Sequence, residues 1–210
     1  MILWRPVGLR EMALVFELGM RAFPERLPEQ PIFYPVLVEE YADQIARTWN
    51  TKEEPFAGYV LEMDIPDDYA SRFAPQTVGG SMHRELWVPA EILTDFNDHL
   101  TRAITVRRAF FGEKYRGHVP EKFGLRGADA SKQIAVIIGT MDYSMFDFVM
   151  EVSANMLTFF LNFPFWKAAG ADRLGVDANE FDRCLEYIRK AWARSPRPAA
   201  LLEEGAWVDS

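Results

Sequence analysis

The sequence predicts an α+β protein: a mostly antiparallel β-sheet with flanking helices, then a C-terminal helical part. Three observations carry that reading. Tyr59, Leu61, Met63 and Ile65 recur at every second position, the period of a half-buried strand. Val38, Tyr41, Ala42, Ile45, Ala46 and Trp49 fall on one face at helical spacing. Gly112, Gly117, Pro120, Gly124 and Gly127 then break up the chain, and beyond them only helical patterns follow. These breaks divide the chain into an α/β module over residues 1–115, a connecting loop over 116–128, and a helical subdomain over 129–210 packed on the module.

The elements follow in order. Ile2, Leu3 and Trp4 form an apolar run that stops at Arg5 and Pro6, which suits a strand entering a turn. Leu9, Met12, Ala13 and Phe16 space out a helix, with Gly19 where a left-handed cap belongs. Pro24, Pro28, Pro31 and Pro35 exclude a continuous helix and predict a rigid, partly extended loop, with a short strand at Ile32, Phe33 and Tyr34. The helix begun at Val38 ends near Asn50 and Thr51, and Lys52, Glu53 and Glu54 make a charged loop before the strand that Pro66 closes. Gly79 and Gly80 mark a turn before a strand over residues 82–88. Pro89 opens a short helix that turns Ile92, Leu93 and Phe96 inward, and residues 103–111 read as one more strand. Residues 129–140, 144–162 and 177–194 have helical patterns, separated by Pro164 and by Gly170 to Gly175, and a Pro-containing tail follows Ser195.

Composition narrows the partners. A hydrophobic share of 49% supplies a real core, and 16 Phe with 6 Trp give rings that either fill it or line a ligand platform. A net charge of −8 disfavours generic nucleic-acid binding, which would need a local basic patch working against the global field. Arg102, Arg107, Arg108, Lys114 and Arg116 are the one such concentration, and a solvated strand and loop face accounts for them. The single Cys184 leaves no intramolecular disulfide and no cysteine cluster for zinc, so no metal is expected and a cytoplasmic location is the default. No apolar run reaches about 18 residues and no basic leader precedes one, so neither export signal nor membrane span is expected.

Three strand residues stand out chemically. Arg5 follows an apolar run directly, so its guanidinium is expected at a strand end, where planar donors could clamp a pyrophosphate; an ion-paired surface arginine is the other reading. Tyr34 ends the Pro-rich loop, placed either to stack on a flat heterocycle or to fill the core. Glu85 shares one strand face with His83 and Trp87, because alternate strand residues point the same way. A carboxylate in an otherwise apolar strand costs solvation energy unless it is paired or functional, although a solvated edge strand would hold the same triplet. In the C-terminal part, Asp147, Glu151 and Asn155 repeat every four residues, as a metal or target site or as an interhelical polar seam would require.

The segments LWRPVG, FYPVLVEEYADQIA, GYVLEMDI and HRELWVP, in this order, resemble the ADP-ribosyltransferase superfamily, whose split β-sheet grips NAD with one motif residue on each of three strands. The chain also looks like a bacterial family loosely labelled "ADP-ribosylation/crystallin J1", through RPVGL, QPIFYPV, QIARTWN, HRELWVPAE and RGHVPEKFG. The resemblance implies a split, mostly antiparallel sheet of ADP-ribosyltransferase type. It also implies NAD-dependent mono-ADP-ribosyl transfer to an acceptor, with Glu85 on the ribose and His83 beside the acceptor as catalytic residues. Arg5 on the pyrophosphate and Tyr34 against the nicotinamide, with Trp87 on the same face, would bind NAD. The alternative is a non-catalytic protein of the same fold, an immunity or defence-associated factor acting through a protein partner; a pI of about 5.0 suits a basic one.

Overall fold

Leu3, Arg5 and Val7 alternate with Trp4 and Pro6 along the first strand, β1 (Ile2–Gly8). The computed structural model, which describes residues 1–208, thus carries β1 through the arginine and proline at which the sequence implied a stop. β1 pairs antiparallel with β3 (Ala57–Asp64), β3 pairs antiparallel with β7 (Thr105–Gly112), and β8 (Gly205–Val208) joins β7 in parallel. The result is a mixed α+β fold on a mostly antiparallel sheet of order β1-β3-β7-β8. Pro6 is tolerated because of where its missing N–H would point. The Trp4 N–H donates away from β3, to the Val36 carbonyl at 2.9 Å, and Pro6, two residues on, faces that same edge.

Beyond β1 the sheet continues through one residue. Val36 bridges Trp4 on one side and Glu85 on the other. It thereby links the main sheet to the hairpin of β4 (Gln76–Thr77) and β5 (Arg84–Glu85). Alongside, β2 (Ile32–Phe33) pairs with β6 (Val88–Pro89). The strand expected over residues 82–88 is therefore two short pieces. Pro35 accepts the Leu86 N–H at 2.8 Å but has no N–H to return, so the ladder breaks there. The Phe33–Val88 and Val36–Glu85 pairs share one register, which sets Tyr34 opposite Trp87.

Helices cover both faces of the sheet. On one, α1 (Leu9–Glu17) buries Leu9, Met12, Val15 and Phe16 and is followed by Gly19 at φ 70°, the left-handed conformation expected there. On the other, α2 (Glu39–Ile45) continues into a π-helical turn over Ala46–Asn50 and packs Tyr41, Ala42 and Ala46 against Val36, Val60 and Phe110. Gly58 permits this close approach, since a β-carbon there would overlap the Ala46 carbonyl. Two short helices, α3 (Asp67–Ala70) and α4 (Leu93–Asp98), close one end, where the Tyr69 ring stacks on His99 at 3.7 Å.

The C-terminal helices are α5 (Ala130–Tyr143), α6 (Met145–Ala154), α7 (Met156–Leu174) and α8 (Ala178–Arg194). The single helix expected over 144–162 is broken at Asn155, with 100° between α6 and α7. α7 instead runs on through Pro164 and kinks at Gly170, where φ is 71°. Among the described residues no single helix is long and apolar enough to cross a membrane. Aromatic contacts join these helices to the sheet and α1: Phe16 meets Phe160 at 4.5 Å and Phe111 meets Phe165 at 5.5 Å, within one hydrophobic cluster that runs from Leu3 to Trp192. The tail after Ser195 returns to the sheet as β8. Glu203 anchors it by accepting from Arg189 at 2.8 and 2.9 Å and from Lys167 at 2.6 Å, and these cations draw its carboxyl down to about 2.

The irregular stretch between β7 and α5 is pinned from beneath by helix side chains. Asn162 accepts from the Tyr115 hydroxyl and the His118 N–H, both at 2.9 Å, and donates to the His118 carbonyl and to Gln133 Oε1. Buried Glu151 accepts from the Gly124 and Leu125 N–H groups at 3.0 and 3.1 Å and from Asn155 at 2.8 Å. The repeating polar stripe thus serves as a seam between loop and helices, with Asp147 left exposed. His118, whose Nδ1 lies 2.8 Å from the Thr158 hydroxyl, has its pKa lowered from 6.5 by burial. The folded protein therefore resists protonation that the unfolded chain accepts. This contribution is complete above pH 6.5 and declines as the pH falls below it. Urea unfolding at pH 8 and pH 5 should show a loss of stability at the lower pH that shrinks in His118→Gln; an unchanged difference would assign the pH dependence to other groups.

Candidate functional site

The Val36 bridge decides which sequence-selected residues can meet. Directly paired residues point to the same side of a sheet, so Trp4, Val36 and Glu85 share the α2 face. Tyr34 and Trp87, two positions along in the same register, belong to that face too. Their rings meet edge to face at 6.1 Å, and both are exposed, 38% and 47%. The Trp87 indole N–H donates to Glu85 Oε1 at 2.7 Å, while Glu85 itself is only 9% exposed. Glu85 also lies close enough to Tyr41 to add to the burial that raises its phenol pKa. The site thus joins a nearly buried carboxylate to an open aromatic pair.

His83 lies beside this group, in the turn before β5. Its ring stacks on Tyr41 at 4.5 Å, its Nδ1 accepts the Gly80 N–H at 3.2 Å, and its Nε2 faces Gln44 Oε1 at 3.1 Å. With Nδ1 accepting, Nε2 carries the proton and donates to Gln44. The imidazole therefore holds the Gly79–Gly80 turn against α2.

Arg5 does not join them. Next to Trp4 in β1, it points to the opposite face, with Leu3 and Val7, and its guanidinium lies 4.4 Å over the Phe33 ring. Glu11 of α1 takes Nε at 2.6 Å and Nη2 at 3.1 Å, and Nη1 donates to the Tyr34 carbonyl at 3.3 Å. The strand-end arginine expected from the sequence is instead a buried mid-strand cation whose donors are engaged within the fold. Its link to the aromatic face is through the Tyr34 backbone alone.

Sequence reasoning passed over Glu11, Tyr41, Gln44 and Arg26. Glu11 carried a cue, since it falls one helical turn beyond the end of a strand that holds an arginine. Tyr41 falls on the apolar helix stripe, a pattern that shows burial but not its neighbours His83 and Glu85. Arg26 lies in the Pro-rich loop, and its Nη1 reaches Glu11 Oε2 at 3.6 Å. It lines a hollow of about 360 Å³ together with Phe23, Thr94 and Asn97. A larger hollow, of about 610 Å³ around Phe56, Tyr115 and Arg116, takes in Lys114 and Arg116 of the basic stretch but none of Arg5, Tyr34, His83, Glu85 or Trp87. Among the described residues no three His, Cys, Asp or Glu side chains are grouped to hold a metal ion.

Fold and site together define a mixed α+β protein with a carboxylate and aromatic face on its sheet. No family model, no curated protein and no solved structure matches the chain.

The ion pair offers a direct test. Glu11→Ala strands the buried Arg5 guanidinium and should cost about 3–5 kcal/mol in urea unfolding. Replacing both, as Arg5→Met with Glu11→Leu, should recover most of that loss. A single variant within about 1 kcal/mol of the parent would show that the pair is dispensable.

Proposed function

We propose that the chain carries out NAD-dependent mono-ADP-ribosyl transfer at the face formed by Tyr34, Trp87 and Glu85. The observation that supports this most is the Glu85 carboxylate, almost buried yet adjoining two exposed rings. Tyr34 and Glu85, brought to one face by the Val36 bridge, also suit the resemblance to the ADP-ribosyltransferase superfamily, while Arg5 points to the other face and takes no part in the site. In this reading the ring pair provides the platform for a flat heterocycle. Glu85 accepts a ribose hydroxyl and stabilises the positive charge that develops on the ribose. The ribose–nicotinamide bond breaks, nicotinamide leaves as a neutral amide, and the acceptor nucleophile forms the new bond and loses its proton. The Trp87 N–H donates to Glu85 Oε1 and so holds the carboxylate in place for the ribose hydroxyl. His83 shapes the neighbouring turn and Arg5 secures β1 to α1, so the chemistry falls on Glu85.

One observation favours a second reading, a non-catalytic protein that binds a partner. Arg5 is committed to Glu11 and Tyr34, while Trp87 and Tyr34 are open to solvent on a chain of net charge −8, which suits a basic protein surface.

A thermal-shift titration with NAD separates the two. NAD at about 100 times its Kd should stabilise the fold by about 2.7 kcal/mol. Glu85→Gln should keep that shift and lose nicotinamide release by roughly a hundredfold or more. An unchanged melting temperature at millimolar NAD would rule out the transfer reading.

A further inference from the structure

We infer that Arg26 anchors an oxyanion site, in which its guanidinium and the adjoining hollow take a phosphate group of a ligand. Two guanidiniums, those of Arg5 and Arg26, converge on the single carboxylate of Glu11. Arg5 occupies both Glu11 oxygens in a two-bond fork, at 2.6 and 3.1 Å, and Arg26 is left at 3.6 Å from one of them. The Arg26 charge is therefore left without a counter-charge at hydrogen-bonding distance.

That charge is not free in water. The Arg26 side chain is only 11% exposed, and its Nε is buried with no hydrogen-bond partner. A buried donor without a partner is uncommon in a folded protein, and a ligand is one of the things that explains it. Burial, and after it the neighbouring Arg5 charge, hold the Arg26 pKa below its ordinary value against the opposing pull of Glu11. The Pro-rich loop that carries Arg26 fixes its backbone, because Pro24 and Pro28 flank it.

There is also space for a ligand. The hollow of about 360 Å³ is bounded by Phe23 and Leu93, by the exposed Thr94, and by Asn97. Asn97 accepts the Phe23 N–H at 2.8 Å and donates to the Phe23 carbonyl at 3.0 Å, so it braces the wall. Glu25 and Glu91 also line the hollow, but both are exposed and solvent-screened, whereas the arginine is not. A planar set of donors on a desolvated cation matches the geometry of a phosphate better than that of a monatomic anion. The Tyr34 phenol lies within electrostatic reach of Arg26, at the margin of the aromatic face. The site does not require the transfer reading, since free pyrophosphate and the pyrophosphate of NAD present the same chemistry.

Calorimetry on the full chain, at an ionic strength fixed with chloride, tests the assignment with inorganic pyrophosphate and, separately, with NAD. Pyrophosphate should bind the parent and bind Arg26→Gln roughly tenfold or more weakly, with Arg102→Gln, a change in an exposed arginine, binding as the parent does. Arg26→Lys, which keeps the charge and loses the fork, should fall between parent and Arg26→Gln and serves if the glutamine variant fails to fold. Pyrophosphate binding without NAD binding supports the site while removing NAD as the source of the phosphate. Equal pyrophosphate affinity in parent and Arg26 variants, or no binding by the parent, overturns the assignment.

Discussion

One residue, Val36, holds the two parts of the sheet in register, and most of the molecule's chemistry depends on it. Its backbone bonds with Trp4 in both directions, at 2.9 and 2.7 Å, and it bridges Glu85 on its other side. A pairing of this kind fixes which way every neighbouring side chain faces, because a slip of one residue would exchange the two faces. Val36 is itself buried in the smaller cluster with Tyr41, Val60 and Phe110, so hydrophobic burial and hydrogen bonding enforce the same register. With the register set, Glu85, Trp87 and Tyr34 must lie on the α2 face and Arg5 on the α1 face. The aromatic and acidic face and the arginine cluster are therefore two environments separated by one backbone layer.

The electrostatics of those environments differ in kind. On the α2 face a carboxylate is held by a neutral indole N–H and stays beside solvent-exposed rings. On the α1 face two guanidiniums share one carboxylate beneath the Phe33 ring. A buried ion pair adds little net stability, because desolvation offsets most of the attraction. It does make the removal of any one member costly. Arg5 is thus better understood as the residue that ties β1 to α1 and to the Tyr34 carbonyl than as a free phosphate clamp. Arg26, which completes no such fork, keeps donors to spare.

Much of the fold was legible in the sequence, for reasons that can be named. The period-two run from Tyr59 and the single-faced stripe from Val38 report burial directly, and burial is what hydrophobic periodicity encodes. Gly19 announced a left-handed turn, which the backbone requires. What failed were inferences from single residues whose outcome depends on a distant partner. Pro6 reads as a strand stop unless its edge of the sheet is known to lack a ladder. Pro164 reads as a helix end unless the surrounding core, including fully buried Phe159, Phe163 and Trp166, holds the helix together. β8 has no signature of its own, since four residues gain a strand's stability only from β7 alongside. The site was half legible. The shared face of Glu85 and Trp87 follows from alternation within one strand, and Tyr34 joins them only through a pairing that no local pattern reveals. The fate of Arg5 depended on Glu11, six residues away and on a different element.

The helical part is fastened to the sheet by polar and backbone contacts as well as by its aromatic rings. Asn162 and Glu151 satisfy backbone groups of the loop leaving β7, the Tyr59 hydroxyl in β3 donates to the Leu161 carbonyl in α7 at 3.0 Å, and the chain after α8 returns as the parallel partner of β7. Each of these side chains is buried in the folded protein and finds its partner across the junction, so none of them is left unpaired there. The same contacts leave the α2 face free, because the C-terminal helices spend their aromatic side chains on the α1 side. Only α2 and its π-helical turn cover the opposite side, and their packing stops short of Tyr34 and Trp87. The open aromatic edge beside Glu85 is therefore a consequence of where the helices are anchored.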